Sequence, residues 1–282
     1  MMAGAAQFSS KSPVEALAFI DAYRWWLTCD CSFHQTADGG AGVDRHFVRS
    51  VGAVYAVNRT IPAKHDLDPE NPYQKGKNRG QPRKVRDPSD PHAAALAAAV
   101  ASFDIRQGET LGDRAKRLAR LIDENAAAGK INASPISAMT KLLWFAKPDG
   151  WTMFDQYAAL AVMAEHASST AFMKNFYTVL DRRGFTRLVD NVRGALRHPF
   201  HPLLAERVID KFLFIHGVRY SRAGKATADQ DSAFESSRME MALLNGFVNA
   251  LPSDLRQQAI DQSFAIAETV SLSALLDPKV AA

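Results

Sequence analysis

Apolar residues recur three and four positions apart along most of this chain, the spacing that gives a helix one inward face. The pattern predicts an almost all-α protein. The first stripe runs through Ala16, Phe19, Ile20, Tyr23 and Trp26. With Ser12 as cap and Glu15 in the first turn, it predicts a helix from near Pro13 to about Thr28. After Gly39 to Gly42, Asp44 is placed to cap a second helix carrying Phe47, Val51, Val54 and Tyr55. No pair of alternating segments around a tight glycine turn suggests a β-hairpin.

Between Ile61 and Pro91 the stripe vanishes among Pro62, Pro69, Pro72, Pro82, Pro88 and Pro91, which predicts a long loop. Helical spacing then returns. Asp90 is expected to cap an alanine-rich helix reaching about Phe103. The next, Leu111 to Ala128, turns Ala115, Leu118 and Ile122 inward and carries Arg114, Lys116, Arg117 and Arg120 opposite. Ser134-Pro135 reads as a cap followed by proline at the first position, opening a helix to about Ala146 that ends in the turn Lys147 to Gly150. Further helices are expected near 156–166, 170–181, 186–196, 203–217, 233–250 and 252–270. The expected architecture is a compact multi-helix body (92–282) built on a hairpin-helix-turn-helix core. Two N-terminal helices and the proline-rich loop (1–91) would lie against it.

Composition narrows the class. Across 282 residues, 47% are hydrophobic and 23% charged, which excludes a disordered chain, a collagen repeat and a disulfide-stapled miniprotein. The longest apolar run, Ala93 to Ala101, is far short of the roughly 20 residues that span a bilayer, so no membrane partner is expected. Met1 to Pro13 lacks a cationic stretch followed by an apolar core. The two cysteines, Cys29 and Cys31, stand too close in sequence for an unstrained disulfide and fit a reducing compartment. Together these predict a cytoplasmic protein. The formal charge of +4 permits a polyanionic partner without demanding one. Within the proline-rich loop, Lys75, Lys77, Arg79, Arg83, Lys84 and Arg86 occur with no acid between them. Such a run is either a solvated loop or an arm that contacts phosphates.

The most informative passage is residues 133–159, ASPISAMTKLLWFAKPDGWTMFDQYAA. Lys141 sits mid-helix among Ile136, Met139, Leu142, Leu143, Trp144 and Phe145, apolar side chains that surround the axis almost completely. Two readings fit: the lysine snorkels out along an amphipathic edge, or apolar surroundings depress its pKa and make the neutral amine a nucleophile. Asp155 directly precedes the next helix and is a cap by default. A carboxylate held there stays ionised and faces whatever cleft lies before the helix.

The order of hairpin, lysine-bearing helix, turn and aspartate-capped helix resembles the helix-hairpin-helix DNA glycosylase superfamily. The run Thr140-Lys141, Trp144-Phe145, Pro148 and Phe154-Asp155 is similar to its bacterial 8-oxoguanine-glycosylase-like branch. The resemblance implies that Lys141 attacks the sugar C1′ as the base leaves and that Asp155 stabilises the developing positive charge. It also implies that the turn Gly129 to Pro135 grips a phosphate, with Ser134 and Ser137 facing DNA. The chain departs from the family pattern in having Asn132-Ala133-Ser134-Pro135 where a Gly-x-Gly core is usual.

A base taken out of the duplex needs aromatic surfaces for stacking. Trp144 and Trp151 lead the candidates, with Trp25 and Trp26 behind. No cofactor or metal is expected: Cys29-x-Cys31-x-x-His34 matches no common zinc spacing, and phosphate-binding, dinucleotide-binding and serine-hydrolase motifs are absent. Arg182, Arg183, Arg187, Arg193 and Arg197 form a second basic region, and His198 and His201 lie in a proline-flanked turn. The resemblance therefore points to excision of a modified or damaged base from DNA, in repair or in defence against foreign modified DNA. The alternative is a non-catalytic helical DNA-binding or regulatory protein on the same scaffold.

Overall fold

The computed structural model describes residues 13–39, 42–57, 60–61, 65–67, 84–131, 135–148, 150–223 and 242–281. Lys75, Lys77, Arg79, Arg83 and Ser134, expected to meet DNA, lie outside them, as does most of the Gly129 to Pro135 turn beyond Ile131.

The described chain is overwhelmingly helical. Helix α1 (Pro13–Trp25) is central: every side chain from Val14 to Tyr23 is buried, including Glu15 and Asp21, as befits a helix apolar on most of its circumference. It does not stop near Thr28. A π-helical turn, Trp26–Asp30, carries it directly into α2 (Cys31–Asp38). The wider turn shifts the apolar stripe out of register, so the 3.6-residue pattern appeared to end there. Asp44 caps α3 (Arg45–Val54) as expected, its carboxylate accepting the Phe47 N–H at 2.8 Å.

Two corrections fall in the following stretch. The proline-rich excursion is not wholly irregular: β1 (His65–Leu67) pairs antiparallel with β2 (Lys84–Arg86), His65 opposite Arg86. Strands of three residues are too short for alternation to be readable. Asp90, expected to cap α4 (Pro91–Ser102), has a left-handed backbone, and its carboxylate turns instead to the Arg49 guanidinium at 2.6 and 2.7 Å. A buried carboxylate gains more from a bidentate guanidinium than from one amide.

Helix α5 (Leu111–Ala127), capped by Thr110, packs on α8 (Thr170–Arg182). Arg114, expected on its outer face, is buried: its guanidinium donates to the Gly150 carbonyl at 3.2 Å and stands 5.7 Å from the Trp151 ring centre. Helix α6 (Ile136–Ala146) is buried on nearly every side and leads through a turn to α7 (Gln156–Met163). After α9 (Phe185–Ala195), the long α10 (Leu204–Ala223) packs against both α1 and α7. The α7 contact is close at Gly217, where an added Cβ would stand 1.8 Å from the Tyr157 carbonyl oxygen. Helix α11 covers 242–249. Helix α12 (Arg256–Thr269) returns to α1, and a 3-10 turn (Ser273–Leu275) and α13 (Pro278–Ala281) follow.

Buried apolar residues form one contiguous cluster from Val14 to Leu276. No helix among the described residues is long and apolar enough to cross a membrane.

Candidate active site

The turn between α6 and α7 is closed from inside by Thr140. Its hydroxyl accepts the Phe154 N–H at 3.1 Å, and its carbonyl accepts the Trp151 indole N–H at 3.2 Å. The Tyr177 hydroxyl, reaching from α8, donates to the Thr152 carbonyl at 2.7 Å. These buried bonds fix the neighbours of Lys141 and Asp155 against each other, and both residues line one cavity of about 480 Å³. Val54 and Phe214 on its wall are exposed, so the cavity opens to solvent.

Lys141 does not snorkel. It is 5% exposed, and its Nζ donates to the Ser137 hydroxyl one turn earlier at 2.9 Å. Burial pushes its pKa below the usual lysine range, and the Arg207 charge pushes the same way. The carboxylates of Asp155 and Asp210 oppose the shift without cancelling it. Asp155 is half-buried and caps α7, accepting the Ala158 N–H at 2.8 Å.

The opposite wall belongs to α10. Its Arg207, 2% exposed, donates from Nε to Asp30 at 2.9 Å, from Nη1 to Asp210, and from Nη2 to the Tyr55 hydroxyl at 3.0 Å. Tyr55 in turn donates to Asp30. The ring centres of Trp25, Tyr55 and Trp144 lie 5.5 to 5.6 Å from the guanidinium. Burial alone would depress the Arg207 pKa, but the carboxylates of Asp30 and Asp210 hold it up. Asp210 is itself pushed up by burial, against the pull of Arg207. Lys211 pairs with Asp21 at 2.8 Å and lies 4.4 Å from the centre of the Trp25 ring; burial brings its pKa to about 8. The π-helical turn is what carries Asp30 to this cluster from the end of α1, a use typical of such turns at functional sites.

No family model, curated protein or solved structure matches the chain.

Of the residues expected from sequence, Lys141, Asp155 and Ser137 share the cavity wall. Trp144 and Trp151 do not reach it: each is 1% exposed, Trp144 packing against His34 and Phe145 and Trp151 stacking on Tyr177. Trp144 on α6 and Trp151 in the turn after it are both core. Trp26 is also buried, stacked on His201. Trp25 alone of the four tryptophans lines the cavity, accompanied by Tyr55, Tyr157 and Phe214. Lys84 and Arg86 fall in β2. In the second basic region, Arg183 donates to the Val162 and Leu275 carbonyls and Arg193 pairs with Glu206, so these two tie helices together.

Cys29 and Cys31 are free thiols, and burial pushes Cys29 up to about 12. His34 turns inward and bonds the Phe145 carbonyl at 3.1 Å. Among the described residues no three His, Cys, Asp or Glu side chains are grouped to hold a metal.

Asp210 and Lys211 were not expected, and Arg207 only as a flank of the His198 to His201 turn. Their signal was present, because charged residues interrupt the run Leu204, Ala205, Val208, Ile209, Phe212, Leu213 at helical spacing.

Proposed function

We propose that this cavity excises a modified or damaged base from DNA, as a DNA N-glycosylase whose amine also opens the sugar. One observation carries the reading: a buried lysine with a depressed pKa and an aspartate at a helix start line the same cavity, whose walls include aromatic rings. This is the pairing that the resemblance around residues 140–155 implies. The volume suits one small ligand in the usual pocket range of roughly 300–1,000 Å³, and a base must leave the stack to enter such a site.

In this reading a target nucleotide rotates out of the duplex and its base enters against Trp25 and Tyr157. As the bond from C1′ to the base breaks, the base takes the bonding pair and a proton. The Asp155 carboxylate, fixed by the Ala158 amide, faces the positive charge developing on the sugar. The neutral amine of Lys141 bonds to C1′ and gives up one proton, which the base takes; the C1′–O4′ bond then breaks, O4′ taking the bonding pair and the second amine proton, and an imine is left between Nζ and C1′.

The test is incubation with duplexes that each carry one modified base, followed by alkali to cut at abasic sites. Cleavage at the modified position by the wild type, absent from Asp155→Asn, is the expected result. Duplex binding with no excision across the panel would instead favour the non-catalytic DNA-binding protein.

A further inference from the structure

Two carboxylates line the cavity with Lys141, yet neither is its hydrogen-bond partner. Among the described residues its Nζ bonds only the neutral hydroxyl of Ser137, at 2.9 Å. Each carboxylate is engaged elsewhere. Asp155 accepts the Ala158 N–H at 2.8 Å, and Asp210 is bound by Arg207 one turn away on α10. Arg207 cannot swing aside, because Asp30, whose side chain is fully buried, holds its Nε and Tyr55 its Nη2.

We propose that Arg207 is a positioning residue: by binding Asp210 it keeps that carboxylate off Lys141, so that the amine meets its substrate with Ser137 as partner and no bound anion. The inference deepens the activity proposed above and rests on the amine being its nucleophile.

The physical reason is a competition for one carboxylate. A lysine and an aspartate in one low-dielectric cavity attract strongly, and an ion pair between them would keep the amine protonated and unreactive. A guanidinium bound on three sides offers Asp210 a better partner, since it stays charged and its donors are held in a fixed fork. Tyr55, Tyr157 and His166 share the cavity wall with Lys141, and the charges that act on it are three. Asp155 comes from the start of α7, and Asp210 and Arg207 come from α10, with Lys211 further along the same wall. Removing Arg207 subtracts a like charge and releases an opposite one, and both changes favour the ammonium form. The depressed pKa of Lys141 agrees with this arrangement.

The test reads the amine without DNA, so it stands apart from the base-excision assay. Formaldehyde forms an imine at a neutral lysine with loss of water, and cyanoborohydride supplies the hydride that fixes it as a methylamine. Methylation of Lys141 is followed by peptide mass across roughly pH 6 to 10, against exposed Lys116 as reference. In the wild type Lys141 should react at lower pH than Lys116. Arg207→Met should move its midpoint up by about one unit, roughly a tenfold loss of rate near neutrality. Asp210→Asn, which leaves every cavity cation in place, should react at least as fast as wild type. The double variant Arg207→Met with Asp210→Asn should recover most of the lost rate. An unchanged midpoint in Arg207→Met, a double variant as slow as the single, or a fall in Asp210→Asn would overturn the inference. Should Arg207→Met fail to fold, Asp210→Asn alone still decides. If methylation behaves as expected while no duplex is cut, the proposed activity falls and the role of Arg207 stands.

Discussion

The backbone N–H of Phe154 donates to the hydroxyl of Thr140 at 3.1 Å, joining the residue before Asp155 to the residue before Lys141. One buried bond thus sets the spacing of the two groups on which the proposed chemistry rests. Thr140→Val keeps the shape but leaves the Phe154 amide without an acceptor, a loss of about 1–3 kcal/mol. Denaturant titration should show that loss, and base excision should fall with it. Thr140→Ser restores the hydroxyl and should recover activity ahead of full stability.

Asp155→Asn separates cap from charge. Asparagine can still accept the Ala158 N–H, so the melting transition should move by less than about 0.5 kcal/mol. A cationic transition state, however, loses its counter-charge, and excision should drop by roughly a hundredfold or more. Unfolding of the variant with no catalytic defect would reduce Asp155 to a structural cap.

Acid should destabilise the fold through His34. Burial lowers its pKa to about 4 from the ordinary 6.5. Its Nδ1 meets the Phe145 carbonyl, while the buried Nε2 has no hydrogen-bond partner among the described residues. A native pKa below the unfolded one means that the unfolded chain binds the extra proton. Stability is therefore full above about pH 6.5 and declines as pH falls toward 4, by roughly 3 kcal/mol from this group. His216, lowered to about 4 chiefly by burial, adds in the same direction. His34→Asn keeps a donor for Phe145 and removes the titration, so its stability should vary less with pH between 4 and 6.5. An unchanged slope would show that His34 does not set it.

Helices α7 and α10 both line the cavity and depend on close backbone approach at Gly217. Gly217→Ala would place a methyl 1.8 Å from the Tyr157 carbonyl oxygen, and backbone cannot yield as a flexible side chain does. A loss of about 3 kcal/mol or more is expected in thermal or denaturant unfolding. A variant as stable as wild type would mean that the two helices can separate at little cost.

The helical body was legible because its signal is local. Apolar stripes and the Asp44 and Asp155 caps each depend on residues a few positions apart. The lysine and aspartate were legible for the same reason. What the pattern hid was non-local. Asp30 and Arg207 meet across most of the chain, through a π-helical turn that has no strong sequence mark. Asp90 chose Arg49 over its own helix for a reason that only packing supplies. Trp144 and Trp151 carry the ring chemistry of a base pocket, yet the packing around α6 and the turn after it makes both core.

The most direct measurement is borohydride trapping on a duplex containing a base that the protein excises. Borohydride would reduce the imine to a stable bond between enzyme and sugar, and peptide mapping would locate it. The wild type should give one adduct, on Lys141, and Lys141→Gln should give none while still binding the duplex. An adduct that persists in Lys141→Gln, or base release with no adduct in the wild type, would contradict the assignment of Lys141 as the nucleophile.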